Sequence, residues 1–261
     1  MADLIVTTGA KMEAANVLLA KEAAQRLSGR YVERGRASLP SLRRKYHALH
    51  ILIVRHGELF LAMPEGEFFF HPNMAHVRVK NLRQGKPDHF VEAAGLRAGM
   101  TVLDCTLGLG ADAIVASYVT GRKGNVRALE SRPLIAAIVS FGLARPREME
   151  YMAEAMQRIQ VIAADYRDFL RHQPDKSVDV IYFDPMFRQP LWDSVALRPL
   201  RTLADGRPLE SDALREACRV ARQRVVLKEV HNSEEFARLG FSSYAGGKYS
   251  RVRYGIIDVS S

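Results

Sequence analysis

The chain has 261 residues, 48% hydrophobic and 26% charged, which is typical of a soluble globular protein with one large domain or two modest ones. No apolar run reaches the roughly 20 residues of a membrane span, and the first residues lack the basic and apolar segments of an export signal, so we expect neither. The two cysteines, Cys105 and Cys218, fit no metal-binding spacing and indicate reduced thiols in a cytoplasmic protein. A net charge of +9 favours a polyanionic partner.

The first ninety residues predict a small basic α/β domain, residues 1–90. The pattern indicates a strand at 4–8, a helix at 11–27, a short strand at 31–36, a short helix at 38–47, a hairpin at 48–63 and an extended piece at 67–72. Residues 1–99 contain 15 Lys and Arg against 9 Asp and Glu. Six of these cations form a basic patch around Glu33: Arg30, Arg34, Arg36, Arg43, Arg44 and Lys45. The patch is either a solvated face or a surface for RNA phosphates.

A helix that stops at Gly95 leads into a second predicted domain, residues 91–261, in which strands and helices alternate. The predicted strands are 101–106, 125–130, 159–165, 178–184, 224–230 and 251–259. The predicted helices are 111–121, 132–144, 148–159, 210–221 and 233–241. Alternation of this kind predicts an α/β fold with a mostly parallel, Rossmann-like sheet of about seven strands, covered on both faces. Ligands of such a sheet bind at the carboxyl ends of the strands.

A glycine loop follows the first of these strands. Gly108 and Gly110 lie between a strand and a helix, where glycine lets the backbone turn sharply and approach a ligand. Tight packing between strand and helix would also explain them. Glu130 closes the second strand at the position of an acid that binds the two hydroxyls of a ribose. The loop therefore predicts a nucleoside-containing cofactor.

The charges in this loop select among such cofactors. Asp104 and Asp112 would repel a pyrophosphate, and neither a third glycine nor a phosphate-binding lysine follows. Carboxylates suit a ligand with a ribose, an ammonium and a sulfonium, so we expect S-adenosyl-L-methionine rather than a dinucleotide. Asp165, at the end of the third strand, or the adjoining amide of Tyr166 would contact the adenine edge, unless Asp165 is only a helix cap.

The fourth strand ends in Asp184-Pro185-Met186-Phe187. Pro185 ends the strand ladder, and its carbonyl and the Asp184 carboxylate are two acceptors for an exocyclic NH2 group. Such acceptors would orient the poorly nucleophilic nitrogen toward a methyl group, and Phe187 would stack on the base. A strand end with a turn proline and a core phenylalanine is the alternative. We predict catalytic roles for Asp184, Pro185 and Phe187.

Several stretches together resemble a known family. They are "LDCTLGLGADAIVAS", "ALES", "YFDPMF" and the upstream "MAHVR", Met74 to Arg78. They resemble the class I S-adenosylmethionine-dependent methyltransferases, and in combination the small-subunit ribosomal RNA guanine-N2 methyltransferase J family with its uncharacterised bacterial relatives. The resemblance covers roughly residues 70–230. The family has arginines where this chain has Ala111 and Ser131, and a proline where it has Arg188.

The resemblance and the loop chemistry imply two sets of residues. The predicted cofactor-binding residues are Asp104, Thr106, Gly108, Gly110, Ala111, Asp112, Glu130, Ser131, Asp165, Tyr166 and Asp184. The predicted substrate-binding residues are His71, His76, Arg78, Arg188 and Lys228. For the histidines, packing at a seam between domains is the alternative, and for Lys228 an ordinary surface position.

These observations predict a methyltransferase that acts on an exocyclic base amine, guanine N2, of ribosomal RNA or of the ribosomal subunit. A methyltransferase of the same fold that acts on DNA or on a protein amine is one alternative. A basic RNA-binding module without catalysis is another, although the intact glycine loop, Glu130 and Asp184 speak against it.

Overall fold

The computed structural model describes residues 3–11, 13–63, 66–146, 149–185, 203–247 and 250–260. The first part of the chain forms a sheet of five strands in the order β2-β1-β3-β4-β5. β1 is parallel to β2 and β3, whereas β3, β4 and β5 pair antiparallel. Its elements are β1 (Leu4–Thr8), α1 (Ala14–Arg26), β2 (Arg30–Tyr31), α2 (Leu39–Tyr46), β3 (His50–Arg55), β4 (Glu58–Met63) and β5 (Gly66–Phe69).

Alternate residues of β1 and β3 enter two different hydrophobic clusters, because successive side chains of a strand point to opposite faces. Leu4 and Leu52 belong to the large cluster that also contains α1 and the second sheet. Ile5 and Ile51 belong to a smaller cluster with Leu42 of α2. The sheet is therefore buried on both faces, and α2, with the cations of its last turn, covers the face that points away from the second sheet.

Two helices connect the sheets, α3 (Asn73–Arg83) and α4 (His89–Ala94). α4 is the predicted helix: the Asp88 side chain accepts hydrogen bonds from the amides at its start, and Gly95 ends it in a left-handed conformation. The sequence did not predict α3. It has no side-chain cap, and its buried side chains are Ala75 and Val79, which are too few and too small for a clear helical pattern.

The second part of the chain forms a seven-stranded sheet, as predicted, in the order β11-β12-β10-β9-β6-β7-β8. Its strands are β6 (Thr101–Asp104), β7 (Asn125–Glu130), β8 (Gln160–Ala163), β9 (Val178–Phe183), β10 (Ala221–Val230), β11 (Ser243–Ala245) and β12 (Val252–Asp258). Its helices are α5 (Ala111–Thr120), α6 (Pro133–Ala144), α7 (Glu150–Gln157), α8 (Tyr166–Arg171), α9 (Ser211–Val220) and α10 (Glu235–Arg238). α8 and β11 were not predicted.

The strand order creates a crevice at the carboxyl end of β6. From β6 the chain proceeds outward through β7 to β8, then returns to place β9 on the other side of β6, followed by β10. Neighbouring connections leave β6 in opposite directions, which is the arrangement that binds ligands in open α/β sheets. β12 pairs antiparallel with both β10 and β11, so it is the strand that runs against the others.

The two sheets share one hydrophobic cluster, which joins Val6 and Leu61 of the first sheet to Ile135 and Val139 of α6. The predicted division into residues 1–90 and 91–261 stays a prediction. Both cysteines are free thiols. In the described part of the chain, no helix has the length and apolar character needed to cross a membrane.

Candidate active site

The glycine loop connects β6 to α5 at the crevice. Gly108 has φ +51° and Gly110 φ +75°, conformations in which glycine lacks the steric cost of other residues. The Gly110 amide donates to the Leu107 carbonyl at 2.7 Å, and the Leu107 amide donates to Leu129 of β7 at 2.9 Å. The loop therefore turns tightly and is held to the neighbouring strand β7 by a backbone hydrogen bond. Ala111 and Asp112 form the first turn of α5.

Glu130 ends β7 beside this loop. Its side chain is buried, and its two carboxylate oxygens accept from the Gly108 amide at 3.3 Å and the Arg132 amide at 2.9 Å. Burial raises the pKa of Glu130, and the two amides oppose the shift. The carboxylate is held against the glycine loop, and Ser131 follows it on the wall of the same cavity.

Thr106 ties β6 to β9. Its amide donates to Asp104 Oδ1 at 2.9 Å, and its hydroxyl oxygen accepts from the Asp184 amide at 2.6 Å. Asp104 ends β6 and is almost fully buried. Burial raises the pKa of Asp104 to about 8, and the charges of Asp112 and Asp184 add to the shift. The crevice thus contains one carboxyl group that is mainly protonated at neutral pH.

A chain of alternating charges crosses the crevice, and we call its members the ion-pair chain: Asp88, Arg78, Asp112, Lys228 and Asp184. Arg78 of α3 donates two hydrogen bonds to Asp88, at 2.7 and 2.9 Å, and a third to Asp112 at 2.5 Å. The Lys228 ammonium lies 3.4 Å from Asp112 Oδ2 and 2.6 Å from Asp184 Oδ2. Side chains from α3, α5, β10 and the end of β9 therefore meet at one place.

The ion-pair chain sets different charge states on its acids. Burial by itself raises the pKa of Asp112, but Lys228 and Arg78 outweigh it and hold the pKa below its usual range. Burial raises the pKa of Asp184 to about 6, with Lys228 opposing the shift and Asp112 adding to it. Three carboxylates face two cations when Asp104 is protonated. The surplus negative charge favours a cationic ligand.

At the end of β8 the structure places a second set of ions. Asp165 caps α8 by accepting from the Arg167 amide, and its carboxylate pairs with the Arg167 and Arg207 guanidinium groups at 2.9 Å each. Asp205 pairs with the same two arginines. Asp165 is therefore both a helix cap and an ion-pair partner. The sequence interpretation missed Asp205 and Arg207, because no motif marks residues 203–210.

One cavity brings six of the predicted cofactor residues together, whereas Asp104, Gly110, Ala111, Asp112 and Asp165 do not line it. Its lining includes Thr106, Gly108, Glu130, Ser131, Tyr166, Asp184 and Pro185, together with Asp205 and Arg207. Tyr166 is buried and packs edge-on against Phe183 at 5.3 Å between ring centroids. The cavity combines Glu130 beside the glycine loop, for a ribose, with the Asp184 carboxylate, for a cationic group of the cofactor. These residues fit S-adenosylmethionine.

The predicted substrate residues separate into two groups. Arg78 and Lys228 belong to the ion-pair chain, so Lys228 is largely enclosed rather than a surface lysine. His71 lines a different cavity, beside α6, and burial lowers its pKa. His76 Nδ1 lies 2.5 Å from the hydroxyl of Tyr151 on α7. Neither histidine lines the cofactor cavity, and a role of either in substrate binding stays a prediction. Phe187 and Arg188 lie outside the described residues.

The seven-stranded sheet and the cofactor cavity define a class I S-adenosylmethionine-dependent methyltransferase. The chain belongs to the family described as putative SAM-dependent methyltransferases, whose family model matches residues 65–255.

Similar proteins agree with this assignment. The uncharacterized protein YpiP of Bacillus subtilis (strain 168) is 38% identical over 258 residues, which is 98% of this chain and all of that protein. Ribosomal RNA small subunit methyltransferase J of Laribacter hongkongensis (strain HLHK9) is 36% identical over 141 residues, 52% of this chain and 49% of that protein. The match to this methyltransferase thus spans about half of each protein, and the enzyme class is clear while its acceptor is a separate question.

A solved structure shows the same fold. The SAM-dependent methyltransferase NGO1261 from Neisseria gonorrhoeae superimposes with a TM-score of 0.66 at 18% identity, covering 97% of this chain and 94% of that chain. The superposition includes the first sheet as well as the methyltransferase sheet, since it covers nearly the whole of both chains.

Proposed function

We propose that this enzyme methylates an exocyclic base amine of ribosomal RNA, with guanine N2 as the acceptor. The observation that carries the proposal is the position of Asp184-Pro185. The pair directly follows β9, beside the crevice at the carboxyl end of β6, and lines the cofactor cavity. The partial similarity to ribosomal RNA small subunit methyltransferase J supports an RNA acceptor. The proposal includes a cytoplasmic location, because ribosomal RNA is found there.

The cofactor, when bound, supplies a methyl group on a sulfonium. Glu130 would bind the ribose hydroxyls, and the carboxylates of the crevice would face the cationic end. Asp165 already caps α8 and pairs with two arginines, so the Tyr166 amide is the better candidate for the adenine edge. Each of these roles uses a group that the fold already holds in place.

In the proposed reaction the acceptor NH2 donates to the Asp184 carboxylate and to the Pro185 carbonyl. These two acceptors direct the nitrogen lone pair at the methyl group, so orientation and electrostatics lower the barrier. The cofactor would supply the methyl group to this nitrogen and would keep the electron pair of the carbon–sulfur bond as a neutral thioether. The extra proton on nitrogen passes to Asp184 and from there to water.

The basic patch and Phe187 complete the proposal on the RNA side. α2 presents exposed Arg44 and Lys45 on the face of the first sheet that points away from the cofactor cavity. These cations would bind phosphates at a distance from the target base. Phe187 and Arg188, which follow Asp184-Pro185 in the sequence, would contact the base and its neighbouring phosphate.

The test is mass mapping of ribosomal RNA from cells with and without the gene, followed by methylation of the unmodified RNA with purified enzyme. We expect one methyl group to be missing from a guanine of the small-subunit RNA in cells without the gene. Asp184→Asn should lower the single-turnover rate roughly a hundredfold, as for loss of a preorganised electrostatic partner. Asp168→Asn, on the exposed side of α8, is the matched control. Identical RNA masses with and without the gene would refute an RNA acceptor.

A further inference from the structure

Lys228 occupies an unusual position for a lysine. β10 runs parallel to β9 with Leu227 beside Phe183, so the next residues, Lys228 and Asp184, are neighbours at the strand ends. On the other side, Lys228 is paired with Tyr254 of β12. Its side chain is only 20% exposed. The ammonium thus points into the crevice, toward the carboxylates of Asp112 and Asp184.

The ion-pair chain holds this ammonium from one side. Asp88 fixes Arg78 through two hydrogen bonds, and Arg78 occupies Asp112 Oδ1 at 2.5 Å. Asp112 Oδ2 is then left to face Lys228. The contact with Asp184 is shorter, 2.6 Å, and uses Oδ2 of that carboxylate. Lys228 is therefore the link between a fixed array of ions and the acid that ends β9.

We propose that Lys228 is the positioning residue of the acceptor site: its ammonium fixes the direction of the Asp184 carboxylate, keeps it ionised, and leaves Oδ1 for the acceptor amine. The proposal rests on the proposed function, in which Asp184 receives that amine. It replaces the interpretation of Lys228 as an RNA contact. Lys228 does not touch the reacting atoms in this scheme and acts through Asp184.

Asp184 needs such a partner because its other surroundings favour the protonated acid. Burial raises its pKa, and Asp112 adds to the shift, while Lys228 and the more distant Arg78 oppose it. Asp104, Tyr182 and Tyr254 face the same space. A protonated Asp184 would present an O–H donor to an amine that also donates. Without the Lys228 charge, the pKa of Asp184 therefore rises and more of the enzyme is inactive at neutral pH.

The experiment uses the full-length protein and four variants. Lys228→Met removes the charge, Lys228→Arg keeps it, and Lys123→Met is the control, since Lys123 is exposed in the turn between α5 and β7, at the amino ends of the strands. The first measurement is a carbon-13 NMR titration of the aspartate carboxyls, with Asp184 assigned by its loss in Asp184→Asn. We expect its midpoint, about pH 6 in the parent protein, to rise by one unit or more in Lys228→Met and to be restored in Lys228→Arg.

The second measurement is the pH dependence of single-turnover methylation. The acid limb should move with the titration in Lys228→Met, so that the rate at pH 6.5 falls about threefold or more while the apparent affinity for RNA stays within twofold. An unchanged titration midpoint with weakened RNA binding would overturn the proposal and identify Lys228 as an RNA contact. Lys228→Gln takes the place of Lys228→Met if the latter does not fold.

The titration also separates this inference from the proposed function. It needs no RNA and no turnover, so it is decisive even if the parent enzyme methylates no ribosomal RNA. A failed methylation with a shifted midpoint refutes the acceptor but not the role of Lys228. A successful methylation with an unshifted midpoint refutes the role of Lys228 but not the acceptor.

Discussion

The crevice contains three aspartates, Asp104, Asp112 and Asp184. They have the same type of side chain, yet the structure gives them different charge states. Asp112 has two cationic partners and stays ionised. Asp184 shares one of them and titrates near pH 6. Asp104 accepts a hydrogen bond from the Thr106 amide and is fully buried, and burial raises its pKa to about 8. The number of cations within reach, rather than burial alone, decides which acid carries charge.

Asp104→Asn should make the protein more resistant to heat at high pH. The folded pKa of Asp104 lies above the ordinary value of about 3.9, so its contribution to stability is present at low pH and is lost as the pH rises through about 8. Asparagine keeps the acceptor oxygen and imitates the protonated acid. Between pH 5.5 and 8.5 the parent should lose about 3 kcal/mol, at about 1.4 kcal/mol for each pH unit up to about 8, so the unfolding temperature of the variant should gain roughly 6–13 °C on the parent. A difference that is constant with pH, in unliganded protein, would show that Asp104 is ionised throughout.

Glu130→Ala should weaken cofactor binding by about 1–3 kcal/mol, because ribose hydroxyls would lose a strong acceptor in a buried site. The change also removes the acceptor of the Gly108 amide, so the glycine loop loses one of the hydrogen bonds that hold it to β7. Calorimetry with S-adenosylhomocysteine measures the affinity. Glu150→Ala is the matched control, because Glu150 is exposed in the first turn of α7. Equal affinity for the parent and the Glu130 variant would exclude Glu130 from the cofactor site.

At the scale of elements, two helices relate the first sheet to the methyltransferase sheet: α3, which follows the first sheet in the chain, and α6, which packs between the two sheets. α3 packs along α5 and delivers Arg78 to the crevice. α6 packs against both β4 and β8. Gly142 of α6 lies so close to Phe70, just after β5, that an added Cβ would be 2.7 Å from the Phe70 Cβ and nearer still to its ring. The approach of the first sheet to α6 therefore depends on the absence of a side chain at this glycine.

Gly142→Ala should lower the free energy of unfolding by about 1–3 kcal/mol, the usual cost of overpacking. Alanine is the better helix former, so the change would stabilise α6 if Phe70 could move aside freely. Urea unfolding measures the difference. Gly206→Ala is the control, because a Cβ there meets no atom within 4 Å. A more stable Gly142→Ala protein would mean that the contact between Phe70 and α6 is loose.

At the scale of the whole molecule, the basic patch and the cofactor cavity lie on separate parts of the surface. α2 covers the outer face of the first sheet, whereas the cavity opens at the carboxyl ends of the second sheet. Arg43 donates to the Ala62 carbonyl, so part of the patch also serves the fold. An RNA that reaches both places must extend across the molecule. Binding through the patch and methylation in the crevice should therefore be separable by mutation.

Replacing Arg44 and Lys45 by serine should weaken RNA binding for all sequences and leave cofactor affinity unchanged. If both cations contact phosphates of single-stranded RNA, the slope of log affinity against log salt should fall by about 0.7 for each lost contact. Fluorescence titrations at several salt concentrations measure the slope. Serines at Arg122 and Lys123 remove the same charge from an exposed turn and serve as the control. The same slope in the patch variant and the parent would identify the patch as a solvated face.

Local patterns determined much of this protein. Apolar runs predicted the strands of both sheets except β11, because a buried strand needs a hydrophobic face whatever surrounds it. The glycine loop, Glu130 at the end of β7 and the Asp184-Pro185 strand end could be predicted for a similar reason: turn geometry and strand ends are encoded by neighbouring residues. Together they predicted the cofactor and the fold, which the structure and the similar proteins confirm.

The tertiary structure decided which charges meet. Arg78 and Asp112 are 34 residues apart, Lys228 and Asp184 are 44, and Arg207 and Asp165 are 42. No local pattern could pair them, because a charged residue near a strand end has the same sequence signature whether it faces water, RNA or a buried acid. Strand order brings β9 and β10 together and thereby turns Lys228 toward Asp184. The charge states of the crevice follow from that packing, since pairing and burial, not residue type, set the energy of each ion.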